Sequence, residues 1–363
     1  MPDTAIRIAC FISPHGFGHA ARAASIMLSL NRRLDNVHFD IFTEVPQWFF
    51  SEEGLQHSYH CVGTDVGFIQ NSPLEHDIGQ TLAALDRFVA GFESQVNSIA
   101  EILTRQQCRL ALCDISPLGI AAAHKAGIPS VLIENFTWDW MYEQYVRQHS
   151  TFELYIDFFR KIFQNSDHLI QTEPACDERN ADLLTYPVSR TPRTSRAATR
   201  QALSVPDEHT LVTITMGGIP GELTLLDQLA MRKEYSFVLP GTGPSITRNE
   251  NCIILPQYSA FYHPDLIHAS DIVIGKLGYS TLAEVYYTGA PFVYVMRDDF
   301  RESGCLARFV AERMPGLPLH PDAFSAGHWL DTLPQWRDTA HPGLSHINGA
   351  EQAAHYIYQL LGD

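Results

Sequence analysis

Residues 270–284 read SDIVIGKLGYSTLAE: a short apolar run, a turn carrying Gly275 and Gly278, then Ser280 and Thr281 opening a helical pattern that reaches Glu284. A strand that passes through glycines into a helix leaves the first helical amides without intrahelical partners. With two hydroxyls beside them, those amides suit a diphosphate. Glu284 stands one helical turn beyond Ser280, where a carboxylate could accept both hydroxyls of a ribose. The same residues also fit a capped Ser-x-x-x-Glu helix with no ligand. On either reading the segment is a strand–turn–helix unit, the building block of a parallel sheet.

Outward from this unit the alternation continues. In the second half the apolar runs are HTLVTITMGG (209–218), YSFVLPGTG (235–243), NCIILPQ (251–257) and APFVYVMRDD (290–299). In the first half they are IRIACFIS (6–13), VHFDIFT (37–43), LALCDI (110–115), IPSVLIEN (128–135) and HLIQTE (168–173), with helices predicted over Ala20–Leu34, Gly79–Arg105 and Pro117–Ala126. Residues 187–200, PVSRTPRTSRAATR, carry two prolines and four arginines without an apolar period, the composition of a passage between domains. The expected organisation is an α/β domain over 1–187, a linker over 188–200, a second α/β domain over 201–345 and a final amphipathic helix within 346–363 that packs back on the first domain.

The chain has 363 residues, enough for two cores, with 45% hydrophobic and 18% charged side chains. Its 25 basic and 41 acidic residues give a net charge of −16 with no basic run, which argues against a nucleic-acid partner. No stretch has the roughly 18 apolar residues of a membrane span, although a local contact with a membrane surface stays open. The start, MPDTAIRIACFIS, lacks the pattern of a secretory signal. The seven cysteines are odd in number and scattered, and the expected location is the reducing cytoplasm.

Ser13-Pro14-His15-Gly16-Phe17-Gly18-His19-Ala20-Ala21-Arg22 follows the first strand and opens a helix. Gly16-x-Gly18-x-x-Ala21 fits a dinucleotide fingerprint, although the nearest suitable acid, Glu44, comes 26 residues after Gly18, beyond the usual spacing of about 20. His15 and His19 have the spacing of paired metal ligands, but the glycines between them indicate a loop, no third ligand is near and no metal is expected. A third reading is a histidine held at the C-terminal edge of the sheet as a general base. The plain alternative is two histidines bonding backbone in a tight turn. Asp114, ending LALCD, could fix the base's tautomer, or could cap the helix that begins at Pro117 together with Ser116. Met216-Gly217-Gly218 and Leu255-Pro256-Gln257 end two further strands and could supply a phosphate-facing loop and a contact to a base edge. Trp138 and Trp140, in Phe136–Tyr142, offer faces for sugar stacking or belong to ordinary core.

PHGFGH (14–19) and LPQYSAFYHPDLIHASDIVIGKLGYSTLAE (255–284) resemble the glycosyltransferases of the GT-B fold, of the MurG and UDP-glycosyltransferase type. HGFGHAAR (15–22), CDISPLGIAAAHKAGIPSV (113–131), ENFTWDWMYEQY (134–145), GKLGYSTLAEV (275–285) and PFVYVMRDDFRE (291–302) resemble the glycosyltransferase-like N-terminal region of L-arabinokinases and its bacterial relatives. That resemblance implies two Rossmann-like domains facing across a cleft and transfer of a sugar from a nucleotide-sugar, a UDP-sugar in the first instance, to an acceptor hydroxyl. It implies His19 as general base and Asp114 as its partner, with His15, Gly18, Trp138 and Trp140 on the acceptor side. Met216, Gly217, Gly218, Gly278, Ser280 and Thr281 would cradle the diphosphate, Gln257 would meet the nucleobase and Glu284 the ribose. Lys276 and Arg297 would offset phosphate charge or serve a structural role. Asp298 and Asp299 fall where the group often has Asp-Gln against the donor sugar, a departure that leaves the sugar open. The chemistry implied is inverting and independent of metal or other cofactor. A UDP-sugar 2-epimerase and a non-catalytic nucleotide-sugar sensor are the alternatives on the same fold.

Overall fold

The computed structural model describes residues 5–51, 53–72, 75–216, 225–297, 299–337 and 347–362. The chain divides into two units, one of residues 1–69, 76–189 and 347–363, the other of residues 70–75 and 190–346.

The first unit is built on strands β1 (Ile6–Ile12), β2 (Val37–Thr43), β3 (His57–Cys61), β4 (Leu110–Asp114), β5 (Ser130–Glu134), β6 (His168–Thr172) and β7 (Leu183–Thr185). They pair in the order β3-β2-β1-β4-β5-β6-β7, all parallel. Burial on both faces accounts for the near-continuous apolar strands. On one face, Ile8, Cys10 and Ile12 of β1 pack with Ala20, Ala24 and Met27 of helix α1 (Phe17–Asn31) and with Ala353 and Ile357 of the final helix (Gly349–Gly362). That helix is fixed to the same unit by Ser29 Oγ donating to Glu351 Oε1 at 3.0 Å and Arg109 Nη2 donating to the Leu361 carbonyl at 2.9 Å. The helix at Pro117–Ala126 matches its expected bounds, with Ser116 Oγ as the cap, accepting from the Gly119 amide at 3.1 Å.

The second unit has β8 (Thr210–Thr215), β9 (Tyr235–Pro240), β10 (Thr247–Asn249), β11 (Cys252–Leu255), β12 (Ile272–Lys276), β13 (Phe292–Val295) and β14 (Gly316–Leu319), in the order β10-β11-β9-β8-β12-β13-β14. Among the described residues of this sheet, only the β10–β11 pair is antiparallel. Val212, Ile214, Phe237 and Ile274 face one core layer with Leu229 and Trp329, and Val273 faces another with Leu282, Val285 and Leu306. β8 and β12 approach closely at Gly275, where a Cβ would lie 2.0 Å from the Thr215 carbonyl oxygen.

Residues 196–200, expected within a linker, are helical in Arg196–Ala202 and belong to the second unit. Arg200 Nη1 donates to Asp271 Oδ2 at 3.0 Å, and the amides of Arg193 and Thr194 donate to Asp265 Oδ1 at 2.6 and 3.1 Å. Of the arginines that broke the apolar period, Arg190, Arg196 and Arg200 pair with carboxylates, and the Arg193 guanidinium lies over the Tyr262 ring. Among the described residues no helix is long and apolar enough to cross a membrane.

Candidate active site

Each sheet has one place where the strand order reverses: between β1 and β4 in the first unit, and between β8 and β12 in the second. The carboxyl ends of strands at such a point leave a crevice that open α/β sheets use for ligands.

At the first point, Gly16 takes φ 74°, a left-handed turn that carries the chain from β1 into α1. His19 lies in the first turn of α1 and Asp114 ends β4. His19 Nδ1 is 2.7 Å from Asp114 Oδ1, and both residues are buried. A carboxylate at that distance takes the proton on Nδ1, so Nε2 keeps its lone pair. Arg22, one helical turn after His19, donates from Nε to Asp114 Oδ2 at 2.7 Å, from Nη2 to Oδ1 at 2.8 Å and from Nη1 to Asn135 Oδ1 at 2.7 Å. Burial raises the Asp114 carboxyl, but Arg22 and His19 outweigh it and hold the group below its ordinary value. Ile115, directly after Asp114, is a buried β-branched residue at φ 44°. That conformation costs on the order of 1–3 kcal/mol, strain stored where the carboxylate is presented.

Beneath the loop lies a second carboxylate. Asp65 Oδ1 accepts from Ser13 Oγ at 2.9 Å and from Trp138 Nε1 at 3.0 Å. Burial pushes its carboxyl up to about 7. Trp138 is fully buried, packed edge-on to His15 with ring centroids 5.2 Å apart. Of its two readings, Trp138 fits ordinary core: it has no open face and supports the loop from below. Trp140 is half-buried and stacks on Phe136, with centroids 6.4 Å apart. Gly18, in the first turn of α1, is half-buried, as is His15. Among the described residues no group of three or more His, Cys, Asp or Glu side chains is placed to hold a metal ion.

At the second point, helix α2 (Tyr279–Thr288) follows β12 with Gly278 at its N-cap and no side-chain cap bond, so Ser280 and Thr281 stand in an uncapped first turn. Glu284 is buried one turn on. Its Oε2 is 2.7 Å from His263 Nδ1, and its Oε1 accepts from Arg190 Nη2 at 3.2 Å. Burial raises the Glu284 carboxyl, and His263 with Arg190 more than reverses that, leaving it below its ordinary value. Lys276, at the end of β12, is pushed down to about 7 by burial and by Arg297. Met216 is half-buried just beyond β8, Gln257 is exposed two residues beyond β11, and Asp299 is exposed beyond β13. Gly217, Gly218 and Asp298 lie outside the described residues.

Arg22, Asp65, His263 and Arg190 were not identified by sequence reasoning as site residues. Arg22 had a signal, since three residues after His19 place it on the same helix face. His263 lay inside the quoted 255–284 stretch. Asp65 sits in a loop with no local pattern, and Arg190 was read as linker.

No protein-family model matches the chain. It is 28% identical over 363 residues to the L-arabinokinase of Arabidopsis thaliana, an alignment that covers 97% of this chain and 34% of that protein. The chain thus spans about a third of that relative's length. It is 22% identical over 300 residues to an uncharacterised glycosyltransferase of Methanopyrus kandleri, covering 76% of this chain and 81% of the relative. The crystal structure of a glycosyltransferase from Streptomyces sp. SF2575 superposes with a TM-score of 0.60 at 15% identity, covering 99% of this chain and 100% of that one. The fold is GT-B. The two sheets and their switch points are those of the two Rossmann-like domains of GT-B glycosyltransferases, and the sequence resemblance holds at the level of fold.

Proposed function

We propose that the chain is a glycosyltransferase that moves a sugar from a nucleotide-sugar, a UDP-sugar, to an acceptor hydroxyl with inversion and without a metal. The observation that carries this reading is the His19–Asp114 pair at the end of β1 and β4: Nδ1 is committed at 2.7 Å and Nε2 is left as the base. Nε2 takes the acceptor's hydroxyl proton and the oxygen forms the new bond to the anomeric carbon. The bond from that carbon to the diphosphate breaks, and UDP leaves with the electron pair. Asp114 steadies the imidazolium, and it can do so because it stays ionised.

On the donor side, the uncapped first turn of α2 and the Lys276 amine meet the leaving diphosphate, and Glu284 takes the ribose hydroxyls. Gln257 meets the nucleobase and Asp299 the sugar. The seven cysteines are free thiols, which suits a cytoplasmic location.

The test is His19→Ala in a transfer assay alongside calorimetric titration with UDP, GDP, ADP and NAD⁺. Transfer is lost and UDP binding is kept if the reading is right. Loss of UDP affinity in that variant would place His19 against the donor and overturn its role as base. Nucleotide binding by the unaltered chain, with neither transfer nor hydrolysis across an acceptor panel, would make it a sensor. Epimerised sugar formed without acceptor would make it an epimerase.

A further inference from the structure

We propose that His263 is the positioning residue for the donor's ribose: it holds the Glu284 carboxylate by one oxygen, so that the ribose diol is met at the other in place of Arg190. The inference rests on the nucleotide-sugar reading above and adds the residue that shapes the donor site.

The two bonds to Glu284 are unequal. His263 Nδ1 stands 2.7 Å from Oε2, whereas Arg190 Nη2 reaches Oε1 at 3.2 Å. His263 is also held at its far end, where Nε2 lies 3.2 Å from Thr215 Oγ1. Thr215 ends β8, and its carbonyl is pressed against Gly275 of β12, so the anchor belongs to the sheet itself. With Nδ1–H given to the carboxylate, Nε2 accepts from the Thr215 hydroxyl, and the imidazole becomes a fixed strut between strand and helix.

Arg190 has a second place to go. Its guanidinium carbon is 5.0 Å from the centroid of the Tyr262 ring, within cation–π range, and Tyr262 immediately precedes His263. An arginine that gives up Oε1 can keep this contact, whereas an imidazole that gave up Oε2 would have to leave a bond made at the shorter distance. An ionised carboxylate offers about four acceptor positions, and His263 uses only one, so two hydroxyls can be accepted without disturbing it.

The test is calorimetry with UDP and 2′-deoxy-UDP on the intact chain and its variants. The unaltered chain is expected to prefer UDP by about tenfold or more, as one hydrogen bond to a charged group allows. In His263→Ala that preference collapses to about twofold or less. In His263→Asn, whose side-chain amide can stand where Nδ1–H stood, it returns, and in Arg190→Met it persists. Thr215→Val, which removes only the far anchor, lowers it by several-fold and serves if His263→Ala does not fold. Equal weakening of both nucleotides in His263→Ala would give His263 a merely structural role and overturn the proposal. So would a preference lost in Arg190→Met as fully as in His263→Ala. An unaltered chain that binds no nucleoside diphosphate would instead overturn the donor reading itself, and this proposal with it.

Discussion

Arg22 closes on Asp114 as a fork, with Nε 2.7 Å from Oδ2 and Nη2 2.8 Å from Oδ1, and both side chains are buried. His19 shares Oδ1 with that fork, so the carboxylate that fixes the histidine is itself fixed by a permanent cation. A buried charge is tolerated only when paired. Removing one partner leaves the other uncompensated, typically at a cost of about 3–5 kcal/mol.

Arg22→Met should therefore lower the unfolding free energy by about 3–5 kcal/mol, read from urea denaturation midpoints. Arg22→Lys keeps the charge but not the planar fork and should fall between. A loss in Arg22→Met under about 1 kcal/mol would mean that the fork does not hold the fold.

Asp114→Asn separates chemistry from binding. The amide has one acceptor oxygen where His19 and Arg22 need two, so either His19 loses its tautomer or Arg22 faces an NH₂ group. Transfer should fall by about 10²–10⁴-fold while UDP affinity stays within about twofold, measured by initial rates and calorimetry on one preparation. A parallel fall in UDP affinity would contradict the separation.

The inner strands of both sheets, their parallel alternation and the two strand–turn–helix units were legible because strands buried on both faces write themselves as short apolar runs, whereas the edge strands β3, β7, β10 and β14 were not read from the sequence. His19 and Glu284 were legible because they follow glycine turns after strands, and Asp114 because it ends an apolar strand. What was not legible is what faces them from far along the chain. Arg22 to Asn135 spans 113 residues and Arg190 to Glu284 spans 94, and no local period encodes such pairings. Trp138 was left open between a sugar face and ordinary core for a related reason: the buried carboxylate that receives its N–H, Asp65, is 73 residues away.

With Lys276 against the diphosphate, as proposed above, donor binding is expected to depend on pH. Its amine ordinarily titrates at 10.5; burial and then Arg297 push it to about 7, with Glu302 pulling the other way. Between about 7 and 10.5 the unfolded chain carries a proton there that the folded chain lacks, so this group's contribution to stability rises with pH across that window. A diphosphate favours the ammonium. UDP binding near pH 8 should therefore take up a proton, and affinity should fall as pH rises above about 7, by at most about tenfold per unit. Calorimetry in two buffers of different ionisation heat reads the uptake directly, and Lys276→Met should bind more weakly with that uptake removed. Wild-type binding without proton uptake would remove Lys276 from the diphosphate.

Asp65 gives the opposite sign. Thr64 has one hydroxyl proton and lies 2.9 Å from the Ile12 carbonyl and 3.1 Å from Asp65 Oδ2. If the proton goes to the carbonyl, Asp65 must bring its own, donating from Oδ2 to Thr64 while Oδ1 accepts from Ser13 and Trp138. A carboxyl raised from 3.8 to about 7 by burial is such an acid. Between those values the folded chain holds a proton that the unfolded chain releases, so this contribution to stability is complete below about 3.8 and is lost as pH rises through about 7. Asp65→Asn keeps the shape and supplies the same donor to Thr64 permanently. It should be more stable than wild type near pH 8, by on the order of 2–4 kcal/mol, and equal to it near pH 4. Denaturation midpoints at the two pH values decide the matter: a variant no more stable than wild type near pH 8 would mean that Asp65 is ionised there and that the hydroxyl of Thr64 turns toward it.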